Sequence, residues 1–143
     1  MLRFAMLIIS IALLSACASI SPSRSPSPSE SPYAPQPGDS ALTRSKFFLN
    51  KEETSILSLE SYPLQFTVSL KGSLPTACHQ PRIVVNPPDS GNKIVLEAYS
   101  VVDPGKVCAE RIQMFEGNIS LGSFPQGHYS VWVNEEKIGE IDA

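Results

Sequence analysis

The first strong pattern in the chain is an apolar run. Residues 4–14 are apolar except for Ser10, follow the single charge Arg3, and give way to Ser15, Ala16 and Cys17. A run of this length is too short to cross a bilayer as a helix and has the dimensions of a signal-peptide core. The apolar signal then stops. Residues 18–44 contain eight serines and six prolines among 27 positions, and their only large apolar residues are Ile20, Tyr33 and Leu42. That is too little to bury a core, so a linker is expected over 18–44, with its prolines favouring extended segments. From Ser45 onward short alternating runs appear between turn residues. Residues 64–71 place Phe66, Val68 and Leu70 on one face and Thr67, Ser69 and Lys71 on the other, with Gly72 and Pro75 expected to end the strand. Residues 93–102 put Ile94, Leu96 and Ala98 on one side, and residues 128–134 alternate Tyr129, Val131 and Val133 with Ser130, Trp132 and Asn134. Shorter strands are expected over 46–50, 55–59, 82–86 and 137–141, and one or two over 111–121, broken near Gly117-Asn118. Turn signals stand at Pro87-Pro88-Asp89-Ser90-Gly91-Asn92, Asp103-Pro104-Gly105 and Glu135-Glu136.

No stretch after residue 17 keeps a 3.6-residue period for three turns. About seven short strands in about 98 residues fit an all-β fold, an immunoglobulin-like antiparallel β-sandwich. The expected division is a leader over 1–16, a Ser/Pro linker over 17–44 and the sandwich over 45–143.

Leu14-Ser15-Ala16-Cys17 resembles the lipobox of bacterial lipoproteins. The resemblance implies that the chain is cut before Cys17 and that Cys17 is diacylated on sulfur. It also implies that the domain is lipid-anchored at the cell membrane or outer envelope, on the extracytoplasmic side. The linker then reads as a spacer between lipid and domain. The processed chain would carry 10 basic and 14 acidic residues, since Arg3 is lost from a total of 11 and 14. A mild acidic excess argues against nucleic acid as a partner. The membrane, through the anchor, is the expected partner, with a protein or glycan ligand for the domain.

The chain has three cysteines, Cys17, Cys78 and Cys108. If Cys17 carries lipid, Cys78 and Cys108 are an even pair in an oxidising compartment, and a disulfide between them is expected. Two other readings stay open. Cys78 and Cys108 with His79 and His128 are the residue types of a metal or thiol-redox site. A small exported sandwich can also present rigid loops to an enzyme as an inhibitor.

Residues 121–129 resemble the approach to the penultimate strand of many immunoglobulin-like domains: Phe124, a short turn, Gly127, then Tyr129. There the tyrosine hydroxyl bonds back to upstream backbone, the "tyrosine corner". Taken together, residues 74–79, Tyr99-Ser100, Cys108, residues 119–122 and residues 127–129 resemble a recurring bacterial lipoprotein domain. That implies a fold and an address but no activity. Asn134-Glu135 departs from the Asn-Gly expected in its final hairpin.

No paired-carboxylate motif, nucleophile elbow or phosphate-cradling glycine loop is present, so no enzymatic activity, cofactor or metal is expected. Glu52-Glu53 and Glu135-Glu136 read as solvated turns. Candidate binding residues are Trp132, expected to face outward between Ser130 and Asn134, with His79 and His128. An outward tryptophan can stack on a sugar or anchor a peptide.

Overall fold

A computed structural model describes residues 31–143. The expected lipidation site at Cys17 and most of the expected linker lie outside them. Among the described residues nine strands form two packed sheets: β1 (Thr43–Lys46), β2 (Phe48–Leu49), β3 (Ser55–Leu59), β4 (Gln65–Leu74), β5 (Gln80–Val85), β6 (Lys93–Val102), β7 (Gln113–Gly122), β8 (His128–Val133) and β9 (Glu136–Asp142). This is the β-sandwich that the alternation predicts.

Each sheet is built around a central ten-residue strand, β6 in the first and β4 in the second. In the first, β5 pairs along one side of β6, while β8 and β1 share the other side, and β9 adds to β8. β8 takes positions Lys93 to Leu96 of β6 and β1 takes Tyr99 to Val102. In the second, β7 pairs with β4 over its whole length, and β3 and β2 share the opposite side. The core lies between these two spines. Phe66, Val68, Leu70 and Leu74 of β4 meet Ile94, Leu96 and Ala98 of β6, with Val131, Val133 and Ile119 completing the layer. All face inward because alternate residues of a strand share one face.

Four expectations are corrected. The strand count rises from about seven to nine because residues 43–49 form two short strands on different sheets. β1 joins β6, the chain turns at the buried Phe47, and β2 joins β4. The sheets are not wholly antiparallel, since β6 and β8 run parallel. The glycines read as strand breakers are packing positions. A Cβ on Gly72 would lie 2.5 Å from the Phe48 carbonyl, and one on Gly117 2.8 Å from the Phe115 ring. Both strands therefore continue through them, β4 to Leu74 and β7 unbroken to Gly122.

The fourth correction is a turn. The last hairpin turns on Asn134-Glu135, with Val133 paired to Glu136 and Asn134 at φ 53°. Only the first turn residue is left-handed, so Glu can stand second. Asn134 also extends the ladder in the gap between β8 and β1. Its backbone N–H donates to the Leu96 carbonyl at 2.8 Å. Its side chain accepts from the Ala98 N–H at 2.9 Å and donates to the Ala98 carbonyl at 3.0 Å.

The chain is packed on the sandwich well before residue 45, so the expected domain boundary lies inside an arm that belongs to the fold. Tyr33 offers its carbonyl to the Ile83 N–H of β5 at 2.8 Å. Its ring meets Phe115 of β7 edge-on at 5.0 Å between centroids. The arm thus bridges the two sheets along their open side. A short 3-10 turn, Pro37–Ala41, then leads into β1.

Candidate functional site

At one end of the sandwich the turn after β4 and the loop between β6 and β7 are joined by a Cys78–Cys108 disulfide, with Cα atoms 6.0 Å apart. That spacing is ordinary for a cystine. Cys78 and His79 sit together in a turn rather than on a strand. His79 Nδ1 is 2.8 Å from the Thr76 hydroxyl, and the Cys78 N–H donates to that same hydroxyl at 3.3 Å. His79 is therefore a turn-forming residue here.

His128 is far away. It begins β8, beside the Lys93 end of β6, whereas the Cys78 turn leads into β5 at the Val101 end. Eight residues of strand separate these ends, roughly 26 Å. The structure does not bring His79, His128, Cys78 and Cys108 into one site. Among the described residues, no three His, Cys, Asp or Glu side chains stand close enough to share a metal ion.

His128 and Trp132 do share a surface, the outer face of the first sheet. His128 Nδ1 lies 2.7 Å from Asp142 and Nε2 3.3 Å from Glu140, both on β9. The hydrogen bond to Asp142, then the charges of Asp142 and Glu140, raise the imidazole above its usual pKa. Glu140 is lowered, chiefly by the hydrogen bond from Lys137. Trp132 faces outward as expected but is half-buried. Its indole N–H donates to the Ser130 hydroxyl at 3.1 Å, and the Lys93 ammonium lies 4.1 Å from its ring centre. A cation over the ring occupies the face a ligand would stack on. Tyr99 is covered in the same way by Arg44, 3.7 Å from its centre.

One pair escaped the sequence reading. Arg82 on β5 is 3% exposed and holds Asp39 of the arm in a two-pronged ion pair at 2.7 and 2.8 Å. The Arg82 hydrogen bonds, then one from the Gln36 N–H, hold the Asp39 carboxyl below its usual range. The remaining Arg82 donors reach the Pro81 carbonyl and Gln80 Oε1 at 3.0 Å each. A buried guanidinium needs such partners. The signal was an arginine on the outer face of a β run, beside the inward Ile83, with a carboxylate in a segment read as linker.

Among the described residues, two shallow surface grooves have volumes of about 330 Å³ each. One runs between β3 and β9 and is lined by Ile56, Leu64, Phe66 and Ile141 with Glu140 and Asp142 on its rim. The other lies in the gap between β1 and β8, over Tyr99 and Asn134. Large apolar side chains are exposed at both ends of the sandwich. Leu57, Leu59, Tyr62 and Leu64 surround the β3–β4 hairpin, and Phe48, Val107, Ile112 and Met114 lie at the disulfide end.

The tyrosine corner is formed. Tyr129 is 5% exposed, and its hydroxyl donates to the Pro125 carbonyl at 3.0 Å. Its ring packs on Phe124, 5.2 Å between centroids, and Phe124 on Phe66. No curated protein and no solved structure matches the chain. Residues 68–142, running from the middle of β4 to the end of β9, match the family model of the ORF11 beta-sandwich domain. The inward alternation of β4, β6 and β8 and the corner at Tyr129 fall within that stretch, and the chain belongs to the ORF11 beta-sandwich domain family.

Proposed function

We propose that this is a lipid-anchored cell-envelope protein whose β-sandwich is a non-catalytic binding or structural module, held on the extracytoplasmic side by an acylated Cys17. The observation that carries the reading is the cysteine pairing. Cys78 and Cys108 are joined to each other, which fits an oxidising compartment. Cys17 is then the one remaining cysteine of the chain, and it ends the lipobox-like Leu14-Ser15-Ala16-Cys17. One acyl chain holds a protein at a membrane only marginally, while two hold it stably. A diacylated cysteine is therefore a sufficient anchor. The surface supports a binding or structural role. Trp132 and Tyr99 are capped by cations, His79 and His128 serve local structure, and the apolar side chains at the two ends remain available to a partner.

The test is the mass and location of the processed protein. The intact chain should begin at Cys17 and carry acyl groups. Cys17→Ser should leave an unprocessed precursor or release the protein from the membrane fraction. An unmodified N-terminus at Ala18 or Ser19 overturns the reading.

A further inference from the structure

The disulfide end carries an apolar corner that the fold does not use. Val107 is 98% exposed, Met114 69%, Ile112 65% and Phe48 49%. Phe48 and Met114 flank Ser73 on the outer face of the second sheet, because both pair with that residue. Ile112 stands two residues before Met114, and Val107 is next to the stapled Cys108. Exposing four large apolar side chains at one corner has a cost unless something covers them. The charges within this loop are Asp103, Lys106, Glu110 and Arg111. Asp103 caps its own turn, accepting from the Gly105 N–H at 2.9 Å. Lys106 and Arg111 directly precede Val107 and Ile112, and long cationic side chains keep their heads in water while apolar neighbours are buried.

We propose that this corner is a lipid-contact surface, seated on the same bilayer that holds acylated Cys17; the proposal rests on the lipid-anchor reading above. Two observations favour lipid over other occupants. The first is the length of chain outside the described residues. Thirteen residues, 18–30, separate Cys17 from Ser31, and thirteen residues reach at most about 45 Å even fully extended. The body cannot move far from the surface. The second is where that chain joins the body. The arm packs through Tyr33 onto Phe115 and Gly117, on the face of β7 opposite Met114 and in the disulfide half of that strand. A tether joined in that half brings its end to the surface more often than the far one, and tethering makes a weak contact effective without high affinity. The opposite apolar end is less suited. It lies five to seven residues of β7 from the arm's contacts, at Gly122, and its neighbouring charges include Glu60, Glu140 and Asp142. Of these, Glu140 and Asp142 are engaged by Lys137 and His128, and Glu60 would be repelled by an anionic leaflet.

The experiment uses the full-length acylated protein in vesicles of phosphatidylethanolamine and phosphatidylglycerol doped with a phospholipid photoreactive in its acyl chain. Flotation and intact mass report the anchor; the positions of lipid adducts report the contact. Adducts are expected on residues 103–114, and the triple variant Val107→Ser, Ile112→Ser, Met114→Ser should lose them roughly ten-fold while still floating. Because these side chains are exposed, the variant should melt with the parent; Val107→Ser alone, giving a smaller loss, repeats the test should the triple variant unfold. A protein that floats yet carries adducts only on residues 17–30 or 57–64 overturns the lipid contact and leaves the anchor standing. Chain-to-chain or other protein cross-links at 103–114 without lipid adducts overturn it in favour of a protein partner. A chain that neither floats nor carries acyl mass overturns the anchor and the contact together.

Discussion

The two ends of the sandwich are closed by different chemistry. At the hairpin end, the loop between β7 and β8 supplies Phe124 to the edge of the core, between Phe66 and Tyr129, and the Tyr129 hydroxyl ties the loop by one hydrogen bond. At the disulfide end, the loop over 103–112 sends no large side chain inward; Val107 and Ile112 point to solvent, and the tie is covalent. A loop that buries aromatic area is held by the packing it contributes. A loop that buries none must be held by a bond that needs no packing. A domain of about a hundred residues has little core to spare, so each end is exposed to the loss of its one device.

Breaking the covalent end should have the larger effect. The staple closes a loop with a sequence separation of 30. In the chain-entropy model, whose mechanism is disputed, that stabilises the fold by about 3 to 4 kcal/mol. Reduction, or the double variant Cys78→Ser, Cys108→Ser, should lower the melting temperature by more than about ten degrees at ~4 °C per kcal/mol. Hydrogen exchange should show residues 75–79 and 103–112 opening first, with 123–127 still protected. Equal opening at both ends would mean that the staple supports the whole body rather than its own end.

The arm is next. Tyr33 is half-buried between the two sheets, and Tyr33→Ala removes an edge-on aromatic contact and the surface beneath it, at a cost of about 2 kcal/mol. Asp39→Asn should act in the same direction, by leaving the buried Arg82 without its carboxylate. Because the folded Asp39 is depressed, its contribution is present above the ordinary aspartate pKa of 3.8 and is lost as pH falls below it. Denaturation midpoints at pH 7 and pH 3 read both effects. Proteolysis that trims residues 31–42 without lowering the midpoint would show that the arm adds nothing to the body.

How much of this was legible follows from what each feature depends on. β6 was readable to its ends because its alternation is local, and Tyr129 because its motif is local. Phe47 was not readable as a corner between sheets, since which sheet a two-residue strand joins depends on partners 23 and 25 residues away. Gly72 and Gly117 were misread because sequence gives a glycine's freedom but not the ring or carbonyl opposite it. The arm was misread because composition averages over 27 positions, while Tyr33 and Asp39 act singly through partners on β5 and β7. Trp132 was placed on the outer face, but its capping by Lys93 depends on a parallel pairing of β6 with β8 that no local pattern announces.

At the hairpin end, Tyr129→Phe removes one buried hydroxyl and leaves the Pro125 carbonyl without its donor, for a loss of about 1 to 2 kcal/mol. The ring stays, so Phe124 keeps its packing. That is smaller than loss of the staple, as expected where packing shares the work. A midpoint unchanged from the parent would remove the corner from the comparison.

The smallest effect is expected beside that corner, at His128. Its ring joins β8 to the last two acidic residues of β9, Glu140 and Asp142. The other charge packed against this group is Lys137, which bonds Glu140 and competes for it. The folded imidazole is raised above its ordinary value of 6.5 by Asp142 and then Glu140. A raised histidine stabilises the fold fully below the unfolded pKa, and the contribution disappears as pH rises through the folded one. The parent should therefore lose a little stability on going from pH 5.5 to pH 8.5, and His128→Gln should flatten that part of the curve, differing most at the acid end. The side chain is 60% exposed, so salt should erode the difference. Hydrogen exchange localises it, with β9 fraying from Asp142 at high pH while residues 103–112 are unaffected. A pH response equal in parent and variant would place the titrating group elsewhere and leave the hairpin end held by Tyr129, its packing and the paired backbone of Gly127 and Ala143.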